Sequence, residues 1–376
     1  MDRPRICVLM PTHWSAGLGG AEMQVQLLVD RLVATDQCEL HFVARASDPA
    51  YRPRGYTLHR LEARRAIAGT FLLDLPVVAQ ALELISPDII YQRVGGAQTA
   101  VAAWWARRHG RRMVWHVSSN NDLAAAPWRW TPRAPFEMLD RQLIDCGARH
   151  AGGVIVQTRE QAALLSSRFG RHDAMQIPNF HPAPAAVGPK PADRVTICWI
   201  ANVKELKRPE LFLKLADDLR DRADLEFVML GSRQMGDAPW SQFERLASGT
   251  GNVTYLGHRP QSEVNALLDR AHLLVNTSTY EGFPNTFIQA WLREVPVVSL
   301  KVNPDGVFND GHLGVCANDD FGRFRQAVRT LADDPGQRRA LGRKAALVAR
   351  QKYSLSNIDR VVEVLRNAGA GRGRRE

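Results

Sequence analysis

Val195-Thr196-Ile197-Cys198-Trp199-Ile200 runs into Ala201-Asn202-Val203-Lys204-Glu205-Leu206-Lys207-Arg208-Pro209-Glu210. A nearly unbroken apolar run reads as a strand buried on both faces, the pattern of a parallel sheet. Pro209 suits the first turn of a helix, where its missing N–H costs nothing. The stretch is therefore strand, loop and helix, with Lys204, Lys207 and Arg208 gathered near the helix start. Just upstream, Ile177-Pro178-Asn179-Phe180-His181-Pro182-Ala183-Pro184 and Gly188-Pro189-Lys190-Pro191 interrupt all periodicity. Proline disfavours helix and holds extended backbone, which predicts a linker over 181–194. Val195 then opens a second structural unit.

The same alternation runs outward in both directions. Before the linker, Ile6–Leu9, Leu40–Val43, Ile89–Tyr91, Met113–Val117 and Val154–Val156 read as strands. Between them, Ala21–Leu32, Leu75–Leu84 and Ala97–Arg107 read as helices, and Ala66 to Ile85 as one amphipathic stretch. After it, Phe227–Leu230, Val253–Leu256, Leu273–Val275 and Val297–Leu300 continue the strands, with helices such as Pro209–Leu219 and Asn285–Leu292. A βαβα rhythm argues for parallel sheets covered by helices. The chain's 376 residues fit about two domains of roughly 150–200 residues. The expected architecture is α/β: two Rossmann-like domains facing a central cleft. The first spans 1–180 and the second 195–355. A helix over 356–368 packs back toward the first domain, and a basic tail over 369–376 is expected to be disordered.

Composition narrows the class. Apolar residues make up 45% and charged residues 23%, an ordinary globular balance. No apolar run reaches the ~20 residues of a spanning helix, and Met1-Asp2-Arg3-Pro4-Arg5 lacks a signal peptide's apolar region. The expected location is cytoplasmic, at the inner face of the membrane if the acceptor is lipid-linked. The formal charge is +10. Residues 1–182 carry 21 Arg, no Lys and 16 acids, so the excess is shared equally by the two halves. A distributed excess suits an anionic ligand or an anionic membrane face; Arg-rich, Lys-poor usage is also what GC-rich coding produces. Arg107, Arg108, Arg111 and Arg112 are the candidates for peripheral membrane contact. Nucleic-acid binding would want a basic stripe with stacking aromatics, which is absent, so no nucleic-acid partner is expected. The five cysteines form no CxxC pair and are read as small buried hydrophobes.

Open α/β sheets bind ligands at the carboxyl ends of their strands. Four loops there carry candidate chemistry. Pro11 to Glu22 contains Gly17, Gly19 and Gly20 at a helix start, where free N–H groups attract anions. It lacks the third glycine of a dinucleotide fingerprint, which argues against hydride transfer. His116 ends a strand before Ser118-Ser119-Asn120-Asn121-Asp122. Lys204–Arg208 would add cations to a helix dipole in holding a diphosphate. Ser278-Thr279-Tyr280-Glu281-Gly282-Phe283-Pro284-Asn285-Thr286-Phe287-Ile288-Gln289 places a carboxylate before a helix and an amide about one turn inside it. Such a device can hold sugar hydroxyls at one end and phosphate or ribose at the other.

These pieces together resemble the family-4 glycosyltransferases of the GT-B fold. The matching segments are Gly19-Gly20-Ala21-Glu22, Lys207-Arg208-Pro209, Asn252-Val253-Thr254-Tyr255-Leu256-Gly257-His258 and Glu281-Gly282-Phe283-Pro284-Asn285, in the expected order over about 270 residues. The resemblance implies retaining transfer from a nucleoside-diphosphate sugar, UDP- or GDP-linked, to a lipid-linked or saccharide acceptor. Bacterial surface polysaccharide or glycolipid assembly is the usual setting. No cofactor and no metal are expected, and the chain contains no Asp-x-Asp sequence. By resemblance, Lys207 contacts the diphosphate, Glu281 lies beside the donor sugar, and His116 is the active-site histidine of the first domain. Gly19, Gly20, Asn202, Arg208, Gly257, His258, Phe283, Pro284, Asn285, Thr286 and Gln289 complete the substrate-binding set. Two positions depart from the family. Asn202 stands where Arg is frequent, and Gln289 replaces the second acid of the Glu-x7-Glu pair; its amide oxygen still accepts from hydroxyls. Acceptor contacts are expected in Ser47–Thr70 and Asn120–Glu137, the latter with Trp128 and Trp130. An epimerase-like or phosphorylase-like enzyme of the same fold, or a nucleotide-sugar-binding scaffold, are the alternatives.

Overall fold

The computed structural model describes residues 3–17, 19–62, 70–125 and 131–369. Two compact units emerge. The first comprises the chain up to Phe180 together with the segment from Leu355 onward, and the second is His181–Ser354.

In the first unit seven strands are all parallel: β1 (Arg5–Thr12), β2 (Glu39–Ala46), β3 (Thr57–Arg60), β4 (Ile89–Arg93), β5 (Arg112–His116), β6 (Gly153–Val156) and β7 (Met175–Gln176). Their spatial order is β3-β2-β1-β4-β5-β6-β7, so the winding reverses between β1 and β4. Alternate residues of each strand feed opposite layers. Val8 and Met10 join Phe42 and Tyr91 on one face, while Cys7 and Leu9 join Val43, Ile90, Trp105 and Trp115 on the other. The first layer is finished by a distant piece of chain. Ile358, Val361, Val362, Val364 and Leu365, from the helix Ser356–Gly369, pack into it.

The second unit repeats the plan with six parallel strands: β8 (Val195–Ile200), β9 (Leu225–Leu230), β10 (Val253–Tyr255), β11 (Leu273–Asn276), β12 (Val297–Ser299) and β13 (Gly314–Cys316), in the order β10-β9-β8-β11-β12-β13. Cys198 and Ile200 pack with Val228, Phe287 and Trp291 on one face; Ile197 and Trp199 pack with Phe212, Phe227 and Phe324 on the other. Trp199 and Trp291 are fully buried, each a side chain of about 150–250 Å² of the kind that dominates core energetics.

Several expectations change. The Pro-rich stretch 181–194 is not a free linker but part of the second unit. Lys190 Nζ donates to the carbonyls of Leu268 and Asp269 at 3.0 and 2.8 Å, and His272 Nε2 lies 3.0 Å from the Pro191 carbonyl. The amphipathic reading of Ala66–Ile85 is too long. The helix begins at Leu75, after a 3-10 turn over Leu72–Asp74, with proline in its first turn; residues 66–69 lie outside the described residues. The segment Asn120–Glu137 is a loop only in part, because a helix begins at Ala134 and runs to His150. Trp128, Trp130 and the tail beyond Gly369 fall outside the described residues. Strands β3, β7 and β13 carry little apolar signal, being short and at or next to the sheet edges. All five cysteines are free; Cys7 and Cys198 are buried as small hydrophobes are, but Cys146 is exposed on the helix Ala134–His150. Among the described residues, no helix is long and apolar enough to cross a membrane.

Candidate active site

The carboxyl edge of the second sheet gathers the basic and acidic loops. After β8 the chain passes Asn202 and Val203, forms a 3-10 turn over Glu205–Lys207, and enters the helix Pro209–Asp217 through Arg208 in a left-handed conformation, φ 46°. After β11 it passes Thr277–Glu281 and enters the short helix Asn285–Trp291. The two loops are stitched together. The Trp199 indole donates to Thr277 Oγ1 at 2.9 Å, and the Thr277 hydroxyl donates to the Lys207 carbonyl at 2.7 Å. The Thr279 N–H donates to the Leu206 carbonyl at 2.9 Å.

That stitching presents Lys207 to Glu281, with Nζ 2.8 Å from Oε2 and both side chains 14% exposed. The other carboxylate oxygen accepts from Ser278 Oγ at 2.7 Å and Asn276 Nδ2 at 2.9 Å. Burial alone would raise the Glu281 carboxyl. The Lys207 ammonium and these two hydrogen bonds outweigh it and hold the group below its ordinary value. Glu281 is therefore a fixed anion. Lys204 stands nearby, and burial together with the Lys207 charge lowers its ammonium.

Arg208 does not add its charge to this pair. Its guanidinium donates to the carbonyls of Thr277 at 2.7 Å and Ser278 at 3.3 Å, and pairs with Asp319 at 2.7 Å. Lys301 pairs with the same Asp319 at 3.0 Å. The geometry makes Arg208 a clamp on the loops instead of a free phosphate contact. Asn202 Oδ1 accepts from Ser232 Oγ at 2.8 Å, which ties the loop after β8 to the loop after β9. Gly231 between them allows this approach, since a Cβ there would overlap the Ala201 carbonyl oxygen. Gly257 accepts from the Gly231 N–H at 2.9 Å, while His258 beside it is exposed.

Phe283 is 8% exposed and packs its ring against Trp291 and Tyr353, so it anchors the loop in the core. Pro284 carries no N–H and caps the helix. Gln289 is buried one turn into the helix, 3% exposed.

The carboxyl edge of the first sheet holds a second cluster. His116 ends β5 and is fully buried. Its Nδ1 lies 2.8 Å from the Tyr91 hydroxyl and 3.5 Å from Arg93 Nη1, and its Nε2 has no partner among the described residues. Burial, and then the Arg93 charge, push the imidazole well below its ordinary value, so the ring is neutral. Gly19 and Gly20 open the helix Gly20–Thr35, where the Glu22 carboxylate accepts the Gly19 N–H and its own. Burial raises that carboxyl in spite of those bonds and of Arg93. Gly19 gives the carboxylate room, since a Cβ would press on it.

Residues without a sequence signal complete both clusters: Asn276, Thr277, Ser278 and Asp319 in one, and Tyr91, Arg93 and Asn179 in the other. His13 is another. It is buried at the end of β1, stacks on Trp14 at 3.9 Å, and sits 2.9 Å from the Tyr56 hydroxyl. Burial and then Arg60 lower it to about 4. Of the arginines considered for membrane contact, Arg111 pairs with Asp88, Arg108 lies 5.7 Å over the Trp104 ring, and Arg107 and Arg112 are exposed.

Two parallel α/β units, each with polar chemistry at the carboxyl edge of its sheet, define the GT-B class of glycosyltransferase. The comparisons agree. The family model "Glycosyl transferase 4-like domain" matches residues 19–179, and "Glycosyl transferases group 1" matches residues 194–334. The chain belongs to this glycosyltransferase family and is an enzyme of that kind. Among its relatives, the alpha-D-kanosaminyltransferase of Streptomyces kanamyceticus is 24% identical over 79% of this chain and 72% of its own length. Among solved structures, the sucrose-phosphate synthase of Thermosynechococcus elongatus superposes with a TM-score of 0.79 at 16% identity, over 98% of this chain and all of the other. Anabaena HepE in complex with UDP-glucose gives 0.76 at 17% identity, over 97% of this chain and all of that one. At such identities the two structures speak for the fold.

Proposed function

We propose that the chain transfers a glycosyl group, with retention, from a nucleoside-diphosphate sugar to a hydroxyl of a saccharide or lipid-linked acceptor. The setting proposed is surface polysaccharide or glycolipid assembly. The observation that carries the reading is the buried Lys207–Glu281 pair beside the turn into the helix Asn285–Trp291. A sugar nucleotide has two faces to satisfy: hydroxyls that donate, and a diphosphate that gains charge as the glycosidic bond breaks. Glu281, held ionised by Lys207, Ser278 and Asn276, accepts from sugar hydroxyls. Lys207 stabilises the departing diphosphate. In a water-poor site such fixed donors are worth far more than in bulk water. Gln289 offers an amide to ribose hydroxyls. In the first unit, His116 is the active-site histidine that the family resemblance implies. Retention follows if the acceptor attacks on the face the diphosphate leaves, its proton passing to the leaving oxygen.

HepE, whose structure was solved with UDP-glucose, supports a UDP-sugar as the first donor to try. Thermal unfolding with UDP, GDP, ADP and TDP, and then with their sugar forms, tests the reading. A ligand at 100 times its dissociation constant stabilises the native state by about 2.7 kcal/mol. A shift selective for one diphosphate is expected, lost in Lys207→Ala. No shift with any nucleotide in folded protein would defeat the donor assignment and favour a scaffold.

A further inference from the structure

Arg93 closes β4 and is 1% exposed, a guanidinium taken almost wholly out of water. Such a charge persists only where partners compensate it. Its Nη2 donates to Asn179 Oδ1 at 2.7 Å. The Tyr91 hydroxyl also lies close to the Arg93 charge. Its Nη1 stands 3.5 Å from His116 Nδ1.

The direction of every proton in this chain is fixed by chemistry. A guanidinium has only donors and keeps its charge at any working pH. Arg93 Nη1 is therefore the donor toward His116 Nδ1. The Tyr91 hydroxyl, 2.8 Å from the same nitrogen, turns its hydrogen to that lone pair too. Nδ1 is thus faced by a hydroxyl proton and a cation, and it presents its lone pair to them. A hydrogen on Nδ1 would point at both. A neutral imidazole with an accepting Nδ1 carries its hydrogen on Nε2. That atom is buried and finds no acceptor among the described residues. An orphaned buried N–H costs about 1–3 kcal/mol, which a substrate oxygen placed against it would recover.

We propose that Arg93 and Tyr91 are positioning residues that lock His116 in its Nε2–H form, making it a fixed hydrogen-bond donor to a substrate oxygen and not a proton-accepting base. Asn179 anchors the far end of the relay. The inference rests on the transferase reading for the nature of the substrate, but not for the tautomer. The acceptor's proton must then leave by another route, and His116 acts by holding an oxygen in place.

The test is nitrogen NMR on protein labelled with ¹⁵N-histidine, at about pH 7.5, where an ordinary histidine is already neutral. His116→Gln identifies the resonances. The wild type should show a pyrrole-type Nε2 and a pyridine-type Nδ1. Tyr91→Phe keeps the ring's shape and removes the hydroxyl. The two nitrogens should then converge as the second tautomer appears, and kcat should fall about tenfold with donor KM little changed. Arg93→Lys, which keeps a cation but not the fork, should move the nitrogens the same way. A hydrogen on Nδ1, or a charged ring, in the wild type would overturn the proposal. So would a Tyr91→Phe variant with unchanged nitrogens and unchanged kcat. The spectra need no substrate. A chain with the Nε2–H ring that bound no nucleotide would count against the transferase reading alone.

Discussion

The two sheet edges solve opposite problems with similar means. At the second, an ammonium and a carboxylate meet at 2.8 Å and the anion is stabilised by two further donors. At the first, a buried guanidinium and a phenol both face one nitrogen of a neutral imidazole, and among the described residues no carboxylate is hydrogen-bonded to the ring. One edge keeps a charge ionised; the other keeps a ring uncharged. The difference teaches that burial does not decide protonation by itself. At Glu281 the partners overrule burial, whereas at His116 burial is the larger cause and Arg93 acts in the same direction.

The comparison can be broken most directly at Lys207. Lys207→Ala removes the cation proposed for the diphosphate and leaves Glu281 without its ion pair, and a loss of about 10²-fold or more in kcat is expected, the scale of removing one preorganised charge-stabilising donor. Single-turnover transfer assays would measure it; wild-type rates in folded variant protein would end the assignment. A smaller effect should follow at Gly231. Gly231→Ala puts a methyl on the Ala201 carbonyl oxygen, so the loop carrying Asn202 must shift. A destabilisation of about 1–3 kcal/mol by chemical denaturation is expected, the range for forced backbone movement in a packed region. Unchanged stability would mean that the close approach is not rigid.

The smallest effect distinguishes the edges by pH. His116 has its folded value pushed down by burial and Arg93. Its contribution is complete above the unfolded value of about 6.5 and is lost progressively as pH falls below it. Glu281 is also pushed down, so its contribution is complete above about 4.5 and is lost only as pH falls through its folded value. His116→Asn should therefore flatten the stability profile between about pH 6.5 and 5, and Glu281→Gln only below about pH 4.5. Equal changes in both windows would contradict the contrast.

Sequence alone carries the second edge better than the first, for a physical reason. Lys207 and Glu281 each lie in a contiguous strand–loop–helix segment, so the residues naming the site also build it. Tyr91, Arg93, His116 and Asn179 come from two strands and a loop spread over nearly ninety residues, and only the pairing of β4 with β5 brings three of them together. His116 is visible as a strand end; its partners carry no mark. Arg208 shows the converse. Its place in a basic loop suggests a phosphate contact, yet its positive φ turns the guanidinium toward Thr277, Ser278 and Asp319. The long strands were legible from their apolar runs. The edge strands β3 and β7 were not, since exposed polar residues such as His59 and Gln176 leave no continuous run to read.

The return of the helix Ser356–Gly369 to the first unit sets an order of events during synthesis. The second unit can complete its packing once the chain to Ser354 has emerged. The first, although made earlier, still lacks Ile358, Val361 and Leu365 from one of its two layers. Its β4–β5 face stays open to water until those residues leave the ribosome. The part of the molecule translated first is thus the last to finish folding, and a premature stop between residues 355 and 365 damages the amino-terminal unit and spares the second, His181–Ser354.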